Sequence, residues 1–277
     1  MRCAWDKLLS VLPPHMRTEV DRLAKDGLQE LRMRIGRPTE LVRREGPIWL
    51  KDRVTEADMR FVINTSSQYS PWAAETIRCG YITAPGGHRI GICGDVICHN
   101  GIISGIRKPT SICLRVARDF PGVAANVRHV SGNILIVGPP GSGKTTLLRD
   151  WIRQVSGMTA AGIAVVDERG ELFPECTDFD PGPRTDVLFG CDKPSGIEMV
   201  LRTMGPGCIA VDEVTSQKDC AALVQASWCG VRLLATAHAS SIADLKGRKT
   251  YSELINTGVF DSVCVMQKDK SWNMERL

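Results

Sequence analysis

The sequence predicts an α/β protein, with a parallel, helix-covered sheet in its second half and a smaller α+β domain in front. Three observations carry this. Residues 134–146, ILIVGPPGSGKTT, place a short, unbroken β-branched run before a glycine-rich turn and then a helix. From there to the end, apolar strand-like runs alternate with helical periodicity, as in sheets whose strands are joined by helices. Before residue 119, short alternating segments and turn signals predominate instead.

In chain order, residues 5–26 hold apolar positions at helical spacing (Leu8, Leu9, Leu12, then Met16, Val20, Leu23), with Pro13-Pro14 opening a second helix. LQELRMRI (Leu28–Ile35) alternates apolar and charged residues and reads as a half-buried strand, followed by strands at TELVRR and GPIWL. Thr55 and Asp58 form a helix-start pattern, and a further helix is expected from about Pro71 to Cys79. Residues 80–117 read as strands, with turns at Pro85-Gly86-Gly87 and Asn100-Gly101. The expected division is 1–118 for the first domain, 119–132 as a junction and 133–277 for the second.

In the second domain Leu147, Leu148, Trp151, Ile152 and Val155 mark a helix that Gly157 should cap. Ile163–Val166 is a strand ending in Asp167-Glu168. Ser195 and Glu198 predict a capping box, and Cys208–Val211 is a strand ending in Asp212-Glu213. A helix over 216–229 leads to a strand at Val231–Ala235, closed by Thr236-Ala237-His238. A helix near Ser252–Thr257 and strands near 263–266 and 272–274 complete the chain.

Composition narrows the functional classes. An apolar share of 43% and a charged share of 24% belong to a globular protein. No run approaches the ~18 apolar residues of a membrane span, and the first residues lack a signal peptide's apolar stretch, so a cytoplasmic location is expected. The 11 cysteines are scattered without a C-x-x-C pair and read as reduced core thiols. Charge is uneven: residues 1–128 hold 20 Lys+Arg against 13 Asp+Glu, and residues 129–277 hold 15 against 18. Between 78 and 118 six basic residues face Asp95 alone, the pattern of a solvated basic face or a nucleic-acid footprint.

The glycine-rich turn matches G-x-x-x-x-G-K-[ST]. Gly138, Pro139, Pro140, Gly141, Ser142, Gly143, Lys144, Thr145 and Thr146 are thus the candidate nucleotide-binding residues. Backbone N–H groups of such a turn close around a polyphosphate at a helix N-terminus. Lys144 is expected to reach the β- and γ-phosphates of ATP, and Thr145 with Asp212 to hold Mg²⁺. Glu213 stands where a residue can orient or deprotonate water. Asp167, Glu168 and Glu171 form a second acidic group, and spacing leaves open whether Glu168 or Glu213 is the base. His238 fits either a hydrogen-bonded structural residue or a sensor of the γ-phosphate.

The order of P-loop, DERGE, VDE and TAHA boxes resembles the type II/IV secretion and pilus-retraction ATPases. Still more similar is the stage III sporulation protein AA family, through LRMRIGRPTEL (31–41), RCGYITAPGGHRIGICGDVI (78–97), IRKPTSICLRVAR (106–118), GPPGSGKTTLLRD (138–150), VVDERGEL (165–172), RTDVL (184–188) and VDEV (211–214). The resemblance implies a RecA-like P-loop NTPase core, a homohexameric ring and membrane-embedded channel proteins as partners, with the protein peripheral at the membrane. It also implies that N-terminal arginines, here Arg89, Arg107 and Arg115, approach the nucleotide phosphates. One departure is that the secretion ATPases commonly have Gly-Glu where Asp212-Glu213 stands. A RecA-like nucleic-acid translocase competes with this reading, but Tyr81 is the one aromatic in the basic cluster and no direct nucleic-acid partner is expected. The other rival, a binding module without turnover, is disfavoured by acidic pairs at two strand ends.

Overall fold

The computed structural model describes residues 2–25, 27–68, 80–99, 102–127, 129–174 and 179–277. The helix expected over Pro71–Cys79 and the Asn100-Gly101 turn lie outside these residues. The chain divides into two compact units, the first covering Met1–Asp119 with Pro174–Asp178 and the second Phe120–Phe173 with Phe179–Leu277.

In the first unit, α1 (Trp5–Ser10) and α2 (Pro14–Ala24) precede β1 (Leu28–Arg34), β2 (Pro38–Arg43) and β3 (Ile48–Arg53). Then come α3 (Glu56–Ser66), β4 (Tyr81–Ala84), β5 (His88–His99) and β6 (Ile102–Arg115). The strands form a six-stranded sheet in the order β3-β2-β1-β6-β5-β4, with every neighbouring pair antiparallel. Alternation decides the faces: Leu31, Met33, Leu41, Ile90 and Leu114 point to a core shared with Leu8, Met16, Val20, Met59 and Val62 of the helices. Thr55 and Asp58 make the reciprocal cap that their spacing predicts, tying down the first turn of α3.

The second unit contains β7 (Ile134–Val137), α4 (Lys144–Ser156), β8 (Ile163–Asp167), β9 (Thr185–Phe189), α5 (Lys193–Thr203), β10 (Cys208–Val214), α6 (Gln217–Trp228) and β11 (Arg232–Ala237). Two short helices, α7 (Ile242–Gly247) and α8 (Ser252–Asn256), lead to β12 (Ser262–Met266) and β13 (Trp272–Arg276). The sheet order is β13-β12-β7-β11-β10-β8-β9, with all neighbours parallel except β12 and β13. Strands covered on both sides need apolar residues at every position, and Ile134–Val137 and Ile163–Asp167 are buried throughout.

Three expectations are corrected. Strand β9 was not expected from the sequence, because its alternating, half-exposed residues mark an edge strand rather than a buried run. Helix α5 is capped by Asp192, whose carboxylate accepts the Ser195 N–H at 2.9 Å, and it starts at Lys193, upstream of the expected box. The nine described cysteines are free, but Cys93, Cys98 and Cys229 are exposed rather than in the core. Gly157 does occupy the C-cap of α4, in right-handed conformation and without the left-handed turn that usually selects glycine there. No helix among the described residues is long and apolar enough to cross a membrane.

Candidate active site

The topology sets the site. Strands β7, β11, β10 and β8 lie side by side in that order, so the P-loop, His238, Asp212-Glu213 and Asp167-Glu168 emerge at neighbouring strand ends. Carboxyl ends of parallel strands are where open α/β sheets bind ligands.

The loop from Gly138 to Gly143 leads straight into α4. Gly141 and Gly143 have φ of 73° and 97°, a region that side chains with a Cβ rarely adopt. Lys144, buried at the first position of α4, folds back and donates to the carbonyls of Gly138 (2.9 Å) and Pro139 (3.2 Å). Burial pulls its ammonium below the ordinary lysine pKa, opposed by the negative charges of Asp212 and Glu213. The Ser142 N–H also bonds Pro139, while its buried hydroxyl has no partner among the described residues. Pro140 completes the loop and Thr146 lies in the first turn of the helix.

Lys144 also donates to His238 Nδ1 at 3.1 Å. An ammonium can only donate, so Nδ1 is the acceptor and the ring carries its proton on Nε2, which bonds Glu213 Oε1 at 3.2 Å. A parallel chain runs through oxygens. Thr145 Oγ1 donates to Asp212 Oδ2 at 2.7 Å, Thr236 Oγ1 donates to Asp212 Oδ1 at 2.5 Å, and the Glu213 N–H donates to Thr236 at 2.7 Å. Thr236 was missed in the sequence, although it stands two residues before His238 on the same strand end. The β10–β11 register shifts between Val211 and Val214, and Glu213 has a φ of 54°. Beyond this irregularity Asp212 meets Thr145 at the start of α4 and Glu213 meets His238, Glu213 holding a conformation disfavoured for a residue with a Cβ.

The second acidic group divides by burial. Asp167 is 1% exposed, and its carboxylate accepts the N–H groups of Glu171 (2.9 Å), Leu172 (2.9 Å) and Phe173 (3.0 Å). Burial, aided by nearby Asp212, pushes its pKa up to about 6 despite those bonds and Arg149. Arg149 of α4 donates to the Glu171 and Leu172 carbonyls, so the loop is fastened to the P-loop helix. Glu168 points to the cleft and pairs with the buried Lys193 at 2.5 Å, while Glu213 pairs with Arg169 at 2.6 Å. Neither cation was singled out from sequence, because loop and helix-start residues acquire a role only once the strand order is known.

The three candidate arginines lie in the first unit and do not share one position. Arg89 and Arg115 are cross-strand partners on the sheet face opposite the core. Arg89 stacks 4.9 Å from the Tyr81 ring, and Arg115 lies 3.5 Å from Glu30. Arg107 sits eight residues before Arg115, roughly 25 Å along β6, and pairs with Asp95 at 3.1 Å.

The residues fit a nucleoside triphosphate with Mg²⁺. The glycine turn is an anion cradle, and Thr145 with Asp212 brings a hydroxyl and a carboxylate together at one point. Such a sparse donor set suits a cation that keeps most of its waters and takes phosphate oxygens. No group of three His, Cys, Asp or Glu among the described residues forms an all-protein metal cage.

Fold and site together define a RecA-like P-loop NTPase core with a smaller N-terminal α+β domain. The chain belongs to the sporulation stage III, protein AA family, which matches residues 6–274. It is 35% identical over 282 residues to stage III sporulation protein AA of Bacillus subtilis, covering 96% of this chain and 92% of that protein. In fold it resembles the ATPase DotB of Legionella pneumophila, with a TM-score of 0.61 and 16% identity over 96% of this chain and 80% of DotB. It likewise resembles the pilus retraction motor PilT, solved with ADP, with a TM-score of 0.61 and 16% identity over 89% of this chain and 76% of PilT.

Proposed function

We propose that this chain binds ATP with Mg²⁺ and hydrolyses its terminal phosphoanhydride bond, working as a homohexameric motor or assembly ATPase for a secretion-like channel in sporulation. Its partners are then membrane-embedded channel proteins, and its place is the cytoplasmic side, peripheral to the membrane. The observation that carries the reading is the hydrogen-bonded set Lys144, His238, Glu213, Thr236, Asp212 and Thr145, gathered around one P-loop. Family membership supports the sporulation context. The fold shared with DotB, an ATPase, and PilT, a retraction motor, supports the motor.

In this reading Lys144 exchanges its carbonyl partners for phosphate oxygens, and backbone N–H groups of the loop complete the cradle. Thr145 and Asp212 would hold the hydration shell of Mg²⁺, which when bound would supply neutralisation of phosphate charge. Glu213 is assigned as base: it accepts a proton from the water that attacks the γ-phosphorus while the bond to the β–γ bridging oxygen breaks, releasing ADP and phosphate. His238 aligns Glu213 and senses the γ-phosphate through its contact with Lys144. Glu168, held by Lys193, supports the shell, and Asp167 shapes the loop that carries Glu168. Arg89 and Arg115, side by side, suit bidentate contact with γ-phosphate oxygens in the assembled ring better than the distant Arg107.

The test is Mg²⁺-dependent phosphate release by the purified chain, with and without single-stranded DNA, and sedimentation with and without ATP. Release independent of DNA, with a sixfold mass in ATP, is expected. Glu213→Gln should lower turnover by about 100-fold and leave ATP affinity within about tenfold, because a base acts in the transition state. DNA-stimulated release would favour the translocase, and binding without release the passive module.

A further inference from the structure

Lys270, in the turn between β12 and β13, has a φ of 74°. The turn is closed by Gln267 N–H to Ser271 O (2.8 Å) and Lys270 N–H to Gln267 O (3.1 Å). Left-handed backbone at such a position favours glycine or asparagine, since a Cβ crowds the neighbouring carbonyl. A lysine stands there nonetheless, and its side chain is laid along the P-loop. Its ammonium donates to the Gly141 carbonyl, and its Cδ lies 3.6 Å from where a Cβ on Gly143 would stand.

Sheet order says which side of the loop this is. β12 borders β7 on one side, while β11 and then β10, with His238, Glu213 and Asp212, lie on the other. With the γ-phosphate drawn toward Asp212 and His238, the rest of a bound nucleotide leaves the loop on the far side. We propose that Lys270 is a second cation of the nucleotide site, leaving the Gly141 carbonyl to bind phosphate oxygens on the nucleoside side of the γ-phosphate, those that ADP and ATP share. The assignment rests on the P-loop reading above and adds to it a residue from the C-terminal hairpin.

Calorimetric titration of the whole chain with ADP and with ATP tests this, alongside thermal melts without nucleotide. Lys270→Gly should weaken ADP and ATP by the same factor, about tenfold, the size of one charge-assisted bond. The same variant should melt about 2 °C higher, because glycine accepts the turn's backbone without strain. Lys270→Arg should bind both nucleotides within about threefold of the parent. Unchanged or tighter binding by Lys270→Gly would overturn the proposal and leave Lys270 a latch on the empty loop. Weakening confined to ATP would also overturn it, because the contact would then be to the γ-phosphate. An unmodified chain that binds neither nucleotide would overturn the P-loop reading itself, a failure visible before any variant is made.

Discussion

The two sheets treat charge in opposite ways. On the sheet of the first unit the ion pairs stand on the open face: Arg32 with Glu30 at 2.6 Å, Arg34 with Glu40 at 2.9 Å, and Arg115 with the same Glu30, while the unit's buried carboxylates, Asp58 and Asp119, lie off the strands. In the second unit Lys144, Arg149, Asp150, Asp167, Lys193 and Asp219 are all buried, and all but Asp150 and Asp219, which caps α6, belong to the strand-end constellation or its supports. Charge on a wet face is cheap to keep and contributes little to stability. Charge taken from water persists only where partners or function hold it, which is why the buried set outlines the site.

The largest expected effect is at Lys144. Lys144→Ala should reduce ATP affinity by roughly 100-fold or more, since the cation proposed to meet the phosphates is gone. Near-native circular dichroism with unchanged nucleotide binding would show the buried set to be structural.

Next comes Asp167, whose carboxyl titrates at about 6 in the folded chain against an ordinary 3.8. Between those values the folded form holds the proton and the unfolded form does not, so the stability contribution is greatest at acid pH and fades as pH rises through 6. Urea melts at pH 4.5 and 7.5 should show the parent losing about 2 kcal/mol more than Asp167→Asn over that interval. Equal losses would mean that the acid is not perturbed. In the first unit His88 works the other way. Buried between the Ala4 carbonyl and the Ala117 N–H, it is depressed chiefly by burial, and it costs stability as pH falls below its ordinary 6.5.

The smallest expected effect is on the open face. Arg34→Ala should change stability by no more than about 0.5 kcal/mol, less still in high salt. A loss above about 2 kcal/mol would end the contrast between the two sheets.

What the sequence displayed of this arrangement follows from range. The P-loop, its strand and its helix are contiguous, so periodicity and glycine spacing sufficed for Ile134–Ser156. Asp167, Asp212 and His238 were visible as polar residues closing apolar runs. Which ends are neighbours is decided by a strand order that no local pattern encodes. Arg169, Lys193 and Thr236 were therefore invisible as neighbours of the candidate site, each being an ordinary loop or strand-end residue until β8, β10 and β11 are set beside one another.

Asp150, buried on α4 about 9 Å along the helix axis from Lys144, accepts the N–H groups of Gly122 (2.9 Å) and Ala124 (2.7 Å) and pairs with Arg153 at 2.7 Å. At the end of the first unit Asp119 is pinned by two backbone bonds to Arg2. Asp150 thus ties the chain that enters the second unit to the same helix whose first residue is Lys144, so one element carries both the loop cation and the fastening of residues 122–124.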